Sequence, residues 1–234
     1  MNREYEAPHL LDVMDAAERY NDHILALALG WAGPARTVLD FGAGTGRLAA
    51  GLAAHGLAVT CVEPDPGLRA QLAARGLEGV PSLEALGDRR FDYAVSSNVL
   101  EHIPDDAAAV RALRGRLVPG GRCLVYVPAL RALWTANDDR VGHLRRYARG
   151  GLVRLFEEAG FAVEGARYVD CLGCLATFAY RLVGSRQGEL SVASVRFYDR
   201  FVFPLSLFLD RGLGLGGVAG KNLVLRARRP DGVG

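Results

Sequence analysis

The chain has 234 residues, 50% of them hydrophobic and 23% charged, with a formal net charge of +2. That is enough for one α/β domain with a sizeable core, or one domain with a large insertion, and the hydrophobic content makes it globular. So small a net charge gives no argument for a nucleic-acid partner, and no uninterrupted apolar run approaches the roughly 20 residues that would cross a bilayer.

Residues His9 to Leu29 carry apolar side chains at helical spacing (Leu10, Val13, Met14, Ala17, Ile24, Leu25, Ala28), which predicts a helical cap within residues 1–35. Gly30 to Pro34 should break it. Thr37 to Phe41 reads as a first strand, Thr45 to about His55 as an alanine- and leucine-rich helix, and Ala58 to Glu63 as a second strand stopped by Pro64-Asp65-Pro66. Leu68 to Arg75 is a predicted helix ended by Gly76. Gly79 to Ser82 is a short strand with a helical turn after it, and Phe91 to Ser96 is the fourth strand. A loop at Asn98 to Ile103 precedes a helix over Pro104 to Leu117. Pro119-Gly120-Gly121 is then a tight turn into a fifth strand, Arg122 to Val127. Strand and helix alternating in this way predict parallel βαβ units with right-handed crossovers, hence a doubly wound α/β sheet.

After Pro128 the polar and aromatic segment within residues 128–150 is longer than a connection requires, a feature of functional loops. Gly151 to Ala159 is a helix, Phe161 to Val169 a strand, and Asn222 to Arg228 the last strand. Residues 171–220 form an apolar, helical insertion with Arg181, Arg196, Arg200 and Arg211 at intervals. It is open to three readings: a lid over a hydrophobic substrate, a dimer interface, or a helix lying on a membrane surface.

Cys61 and Cys123 fall in predicted strands, where a thiol is a small buried hydrophobe. Cys171 and Cys174 form a lone C-x-x-C without further ligands, so no metal site is expected. Met1 to Leu11 has acidic residues and no apolar core, which is not the pattern of a signal peptide. A reduced, cytoplasmic setting is the expectation. Lys221 is the sole lysine, a bias of the kind expected from a high-GC bacterial genome.

The stretch Val38-Leu39-Asp40-Phe41-Gly42-Ala43-Gly44-Thr45-Gly46-Arg47-Leu48 organises the chain. It reads as a buried strand, a glycine turn and a helix start whose free N–H groups suit a nucleotide-like ligand. A dinucleotide fingerprint would need its third glycine at Arg47, and a P-loop would need Gly-Lys-Ser/Thr at Arg47-Leu48-Ala49; both fail by position. With Ser97-Asn98-Val99-Leu100-Glu101-His102-Ile103, the pattern resembles class I S-adenosylmethionine-dependent methyltransferases of the small-molecule type, over roughly Tyr20 to Arg229.

The resemblance implies a single methyltransferase domain on a seven-stranded Rossmann-like sheet, its last strand antiparallel and inserted beside the sixth. It implies S-adenosylmethionine as cofactor, with Asp40 near the cationic methionine end and Gly42, Ala43, Gly44 and Gly46 under it. Glu63, at the end of the second strand and beside Pro64, is placed for the ribose hydroxyls. Ser82 stands where many relatives carry an acid for the adenine amine. Asn98 and Val99 would line the cofactor, and Tyr20 would either close over it or simply pack.

His102 and His143 are the candidate general bases, since an imidazole with a pKa near ~6.5 suits removal of a proton from an acceptor; packed, structural histidines are the alternative. Glu101 is either part of the site or a helix N-terminal acid. The loop from Asp139 to Tyr147 resembles an Asp-x-x-x-Gly-His-x-Arg-Arg-Tyr pattern found in a subset of these enzymes. Its expected acceptor-side residues are Trp134, Asp139, Arg145, Arg146 and Tyr147, with the two arginines gripping a carboxylate or phosphate; a solvated basic loop is the other reading.

The function expected is methyl transfer to a small molecule such as a secondary metabolite or a lipid- or sugar-linked intermediate, by a monomer or homodimer. Two rivals stand beside it: a nicotinamide oxidoreductase, opposed by Arg47, and a cofactor-binding scaffold without turnover.

Overall fold

A computed structural model describes residues 16–183, 192–212 and 214–231. The first part of the predicted N-terminal helix, residues 9–15, and part of the insertion lie outside the described residues. What is described opens with α1 (Glu18–Ala32). This helix runs through Gly30 and stops at Gly33, whose φ of 60° and the proline after it end the helix.

The elements then follow as β1 (Thr37–Phe41), α2 (Arg47–Ala54), β2 (Ala58–Val62), α3 (Pro66–Ala74), β3 (Glu78–Val80) and β4 (Phe91–Ser97). After them come α4 (Asp106–Gly115), β5 (Leu117–Pro128), the short α5 (Ala136–Arg140), α6 (Arg149–Glu158) and β6 (Ala162–Val169). The insertion supplies α7 (Cys171–Val183), α8 (Val192–Phe197), a π-helical turn at Tyr198–Val202 and α9 (Phe203–Gly212), and β7 (Asn222–Arg228) closes the fold.

The seven strands form one sheet in the order β3-β2-β1-β4-β5-β7-β6, parallel except for β7, which runs antiparallel to both β5 and β6. This is the expected doubly wound sheet with a helical insertion before its last strand. Two local expectations change. Pro66 is not a strand stop alone: it opens α3 at the first helical position, behind the N-cap Asp65, whose side chain accepts from Leu68 N at 2.8 Å. Pro119-Gly120-Gly121 is not a turn between elements but an irregularity inside β5, where pairing with β4 jumps from Phe91↔Leu117 to Tyr93↔Arg122. Gly120, at φ 73°, absorbs the extra residues.

Both faces of the sheet are buried, as a parallel sheet requires. Alternation along β5 sends Cys123, Val125 and Val127 to one core, with Leu113 of α4 and Phe156 of α6. Leu124 and Tyr126 go to the other, with Ile24 and Ala28 of α1 and Leu52 of α2. Side chains of this size contribute about 1.5–3 kcal/mol each when fully buried. The packed sheet therefore holds the C-terminal ends of β1, β2, β4 and β5 in a fixed row, and the candidate site sits along that row.

Candidate functional site

The glycine turn leaves β1 with Gly42, Gly44 and Gly46 all at positive φ (82°, 55° and 80°). Their reasons differ. A Cβ on Gly42 would strike Val99, and one on Gly46 would strike Leu72, so these two glycines let the β4 loop and α3 pack close. A Cβ on Gly44 meets nothing within 4 Å, and only its backbone conformation demands glycine. Gly42 N and Ala43 N are tied to Val62 O at 2.8 and 3.2 Å. Gly44 N instead donates to Glu63 Oε2 at 2.8 Å, while Glu63 Oε1 accepts from Asp65 N at 3.0 Å. Of the three glycines, Gly44 has the open surface a ligand would use, with the buried Glu63 carboxylate beside it.

Asp40 is buried one residue before the end of β1, and burial followed by the nearby Glu63 charge pushes its carboxyl up to about 7. Such an acid is half-ionised at neutral pH, and a cation placed beside it would ionise it fully. The backbone of Pro64 accepts from Arg69 Nη1 at 2.7 Å, which fixes the corner below Glu63. Ser82 lies beyond β3, and its side chain hydrogen-bonds Glu84 in a local turn.

Asn98, the residue after β4, has φ 54°, a strained value for a side-chain-bearing residue. Its Nδ2 donates to Tyr20 Oη at 3.3 Å. The Tyr20 ring stands edge-on to Tyr126 and Phe203, at 5.8 and 5.6 Å between centroids. The tyrosine from the N-terminal helix therefore bridges the β4 loop and the insertion.

Glu101 is wholly buried in a single 3-10 turn, Leu100–His102, and among the described residues neither carboxylate oxygen has a side-chain hydrogen-bond partner. It is not the N-terminal acid of α4, because Asp105 caps that helix, accepting from Ala108 N at 2.8 Å. Burial pushes Glu101 up to about 8, so it is largely neutral at pH 7. His143 Nε2 lies 3.8 Å from Glu101 Oε1, and the rings of His102 and His143 meet edge-on at 4.8 Å. Burial and the adjacent His143 bring His102 down to about 4. Among the described residues, Glu101, His102 and His143 have ligating atoms within 4.8 Å of one another and are the group that could share a cation.

On its other side, His143 Nδ1 lies 2.7 Å from Asp138 Oδ1. Asp138 is buried and also accepts from Arg146 Nε (2.7 Å) and Nη2 (3.0 Å) and from Thr135 N (2.8 Å) at the start of α5. Burial opposes its ionisation, but the His143 and Arg146 hydrogen bonds win and hold it well below the usual carboxylate range. An ionised Asp138 only accepts, so His143 Nδ1 carries a proton, and Nε2 is turned towards Glu101.

Several acceptor-side expectations change here. Arg146 is buried on Asp138 and also donates to Ala129 O, and Arg145 pairs with Asp106 at 2.7 Å and with Pro104 O, so both arginines are engaged with the protein itself. Tyr147 is buried, its hydroxyl 2.8 Å from Asp106 Oδ2. Asp139 is exposed and accepts from Trp134 Nε1 at 3.1 Å, while Arg131 stacks over the Trp134 ring at 4.2 Å. The acid that holds His143 and Arg146 is its neighbour Asp138. The Asp-x-x-x-Gly spacing counted back from Gly142 falls on Asp138, a signal that was available in the sequence.

The insertion is fastened by acids that sequence reasoning did not single out. Asp199 accepts from Arg19 N and Tyr20 N at 2.9 and 2.8 Å, capping α1 from 180 residues away. Asp210 accepts from Asp170 N at 2.6 Å and Cys171 N at 3.2 Å, and Asp170 itself binds Gly173 N and Tyr198 Oη. Cys171 is buried in the first turn of α7, which suits packing rather than metal binding.

A family model described as a methyltransferase domain matches residues 14–165, more than half of the chain. The chain belongs to this methyltransferase family. Uncharacterised methyltransferases of Mycobacterium tuberculosis are 36% identical to it over 125 residues, 50% of this chain and 48% of theirs. A ubiquinone biosynthesis O-methyltransferase of Xanthomonas oryzae pv. oryzae is 36% identical over 121 residues, 46% of this chain and 51% of that one. The methyltransferase thus spans about half the length of these curated relatives in the matched stretch. In fold it is similar to a solved S-adenosylmethionine-dependent methyltransferase of Thermotoga maritima, described as a possible histamine N-methyltransferase, with a TM-score of 0.62 and 16% identity over 96% of both chains. That fold is the class I methyltransferase fold. No described helix is long and apolar enough to cross a membrane.

Proposed function

We propose that the protein moves a methyl group from S-adenosylmethionine to a hydroxyl of a small, largely apolar acceptor, a secondary metabolite or a lipid- or sugar-linked intermediate. The observation that carries the cofactor is the Gly44 corner, with open space where a Cβ would stand and the Glu63 carboxylate against its N–H. Asp40, poised near neutrality, suits the sulfonium end, and Asn98, Val99 and Tyr20 border the same row of strand ends.

The cofactor supplies an already activated methyl group, so the protein's share of the work is alignment, exclusion of water and handling of one proton. His143 takes that proton: Asp138 fixes its tautomer and leaves Nε2 as the acceptor. His102, held neutral, forms the adjoining wall. Bound there, S-adenosylmethionine would supply the methyl group, and His143 Nε2 would take up the proton that the acceptor hydroxyl gives up, so charge balances. Because Arg145 and Arg146 are bound to Asp106 and Asp138, an anionic group on the acceptor is not required.

Calorimetry with S-adenosylmethionine, its demethylated product and NAD tests the cofactor, and a methyl-transfer screen over hydroxylated acceptors tests the reaction. Retention of NAD with no affinity for the sulfonium compound defeats the reading. Tight sulfonium binding without turnover on any acceptor would favour the scaffold role instead.

A further inference from the structure

The helical insertion has two unlike sides. Its inner side is polar where it meets the fold: Asp199 and Asp210, the acids among the described residues of the insertion, are both buried on backbone N–H groups. Phe203 joins them there, packing on Tyr20 and His23. The outer side is apolar. Phe197, Phe201, Leu205 and Phe208 are 63%, 58%, 52% and 68% exposed, and their spacing of four, four and three residues sets them on one face from α8 through the π-helical turn to α9.

Arg196, Arg200 and Arg211, on the same helices, are also exposed. Phe197 and Phe201 stack side by side at 5.2 Å, and the Arg200 guanidinium lies 5.6 Å from the Phe201 ring. Each acid among the described residues of this segment therefore faces inward, while Arg196 and Arg200 are exposed beside an aromatic stripe.

We propose that this face docks on an anionic lipid bilayer, with the phenylalanines entering the acyl boundary and the arginines meeting phosphate headgroups. Charge decides the occupant. Two copies joined through this face would bring two sets of arginines together with no outward acid among the described residues of the insertion to offset them, whereas an anionic surface attracts every one. An aromatic face flanked by arginines is also the composition of helices that lie in the headgroup plane. The proposal is independent of which acceptor is methylated.

The test is co-sedimentation of the full chain with vesicles of phosphatidylcholine alone or mixed with phosphatidylglycerol, across salt concentrations. The variants are Phe201→Asp with Phe208→Asp, and Arg196→Glu with Arg200→Glu. Wild type should pellet with the anionic vesicles, less so at high salt, and poorly with phosphatidylcholine. Each double variant should lose at least about tenfold in partitioning, since each basic residue at such a surface is worth about fivefold. Thermal melting and cofactor affinity should stay at wild-type values, which separates lost docking from lost fold. The proposal is overturned if wild type ignores anionic vesicles or if the variants bind as well as wild type. It is equally overturned if sedimentation velocity gives a dimer that Phe201→Asp with Phe208→Asp dissociates.

Discussion

His143 and Asp138 lie 2.7 Å apart, and the same carboxylate holds Arg146, so the orientation of one imidazole depends on a buried ion pair. Replacing His143 with glutamine should preserve the fold and lower kcat by about 10²-fold or more, the usual contribution of a general base. Single-turnover rates with a saturating acceptor measure this; an unchanged rate would remove His143 from the chemistry.

Asp138→Asn should act chiefly on stability. It leaves a buried guanidinium without its counter-charge, at a cost of about 3–5 kcal/mol. The pH dependence has a definite sign. Asp138 is held below its unfolded value, so its contribution is present above a pH of about 4 and is lost as pH falls further. Urea midpoints should drop steeply for wild type on acidification and more shallowly for the variant.

Asp40 gives a second pH signature. With its carboxyl at about 7, it is mostly protonated at pH 6 and mostly ionised at pH 8. Affinity for the sulfonium cofactor should rise several-fold over that interval, while affinity for the uncharged thioether product stays nearly flat. In Asp40→Asn the two ligands should respond to pH alike by calorimetry.

The glycines of the turn should separate experimentally. Gly42→Ala forces a Cβ into Val99 at positive φ and should lower the melting temperature markedly. In Gly44→Val the new Cβ meets no protein atom within 4 Å, so beyond about 1–2 kcal/mol of backbone strain it should spare the fold and abolish cofactor binding.

Asp199→Ala should cost about 1 kcal/mol, as the loss of a helix N-cap does. Its specific mark would be faster amide exchange at Arg19 and Tyr20, the two N–H groups it accepts from, with the β-sheet amides unaffected.

Much of the fold was legible because its signals are local. β1 and β7 fall where short apolar runs and flanking breakers put them, and the β1 turn shows itself through glycines at positive φ. The insertion's fastenings were not legible. Asp199 and Asp210 cap backbone groups 179–180 and 39–40 residues away, and no local pattern marks an acid for such use. The bulge in β5 was misread because Pro-Gly-Gly has the local chemistry of a turn, and only pairing with β4 and β7 keeps the strand continuous. At the site, Asp138 and Asp139 are adjacent and chemically identical, and burial alone tells them apart.

The position of β7 also orders assembly. Because β6 pairs with β7 and is not paired with β5, it has no neighbour in the sheet until the last strand leaves the ribosome. A nascent chain can complete the glycine corner on β1, β2 and β4 early, yet Asp170 just after β6, and the insertion tied to it, wait for β7. Deleting β7 would thus take away an interior rung rather than an edge, and would orphan a strand made some fifty residues earlier.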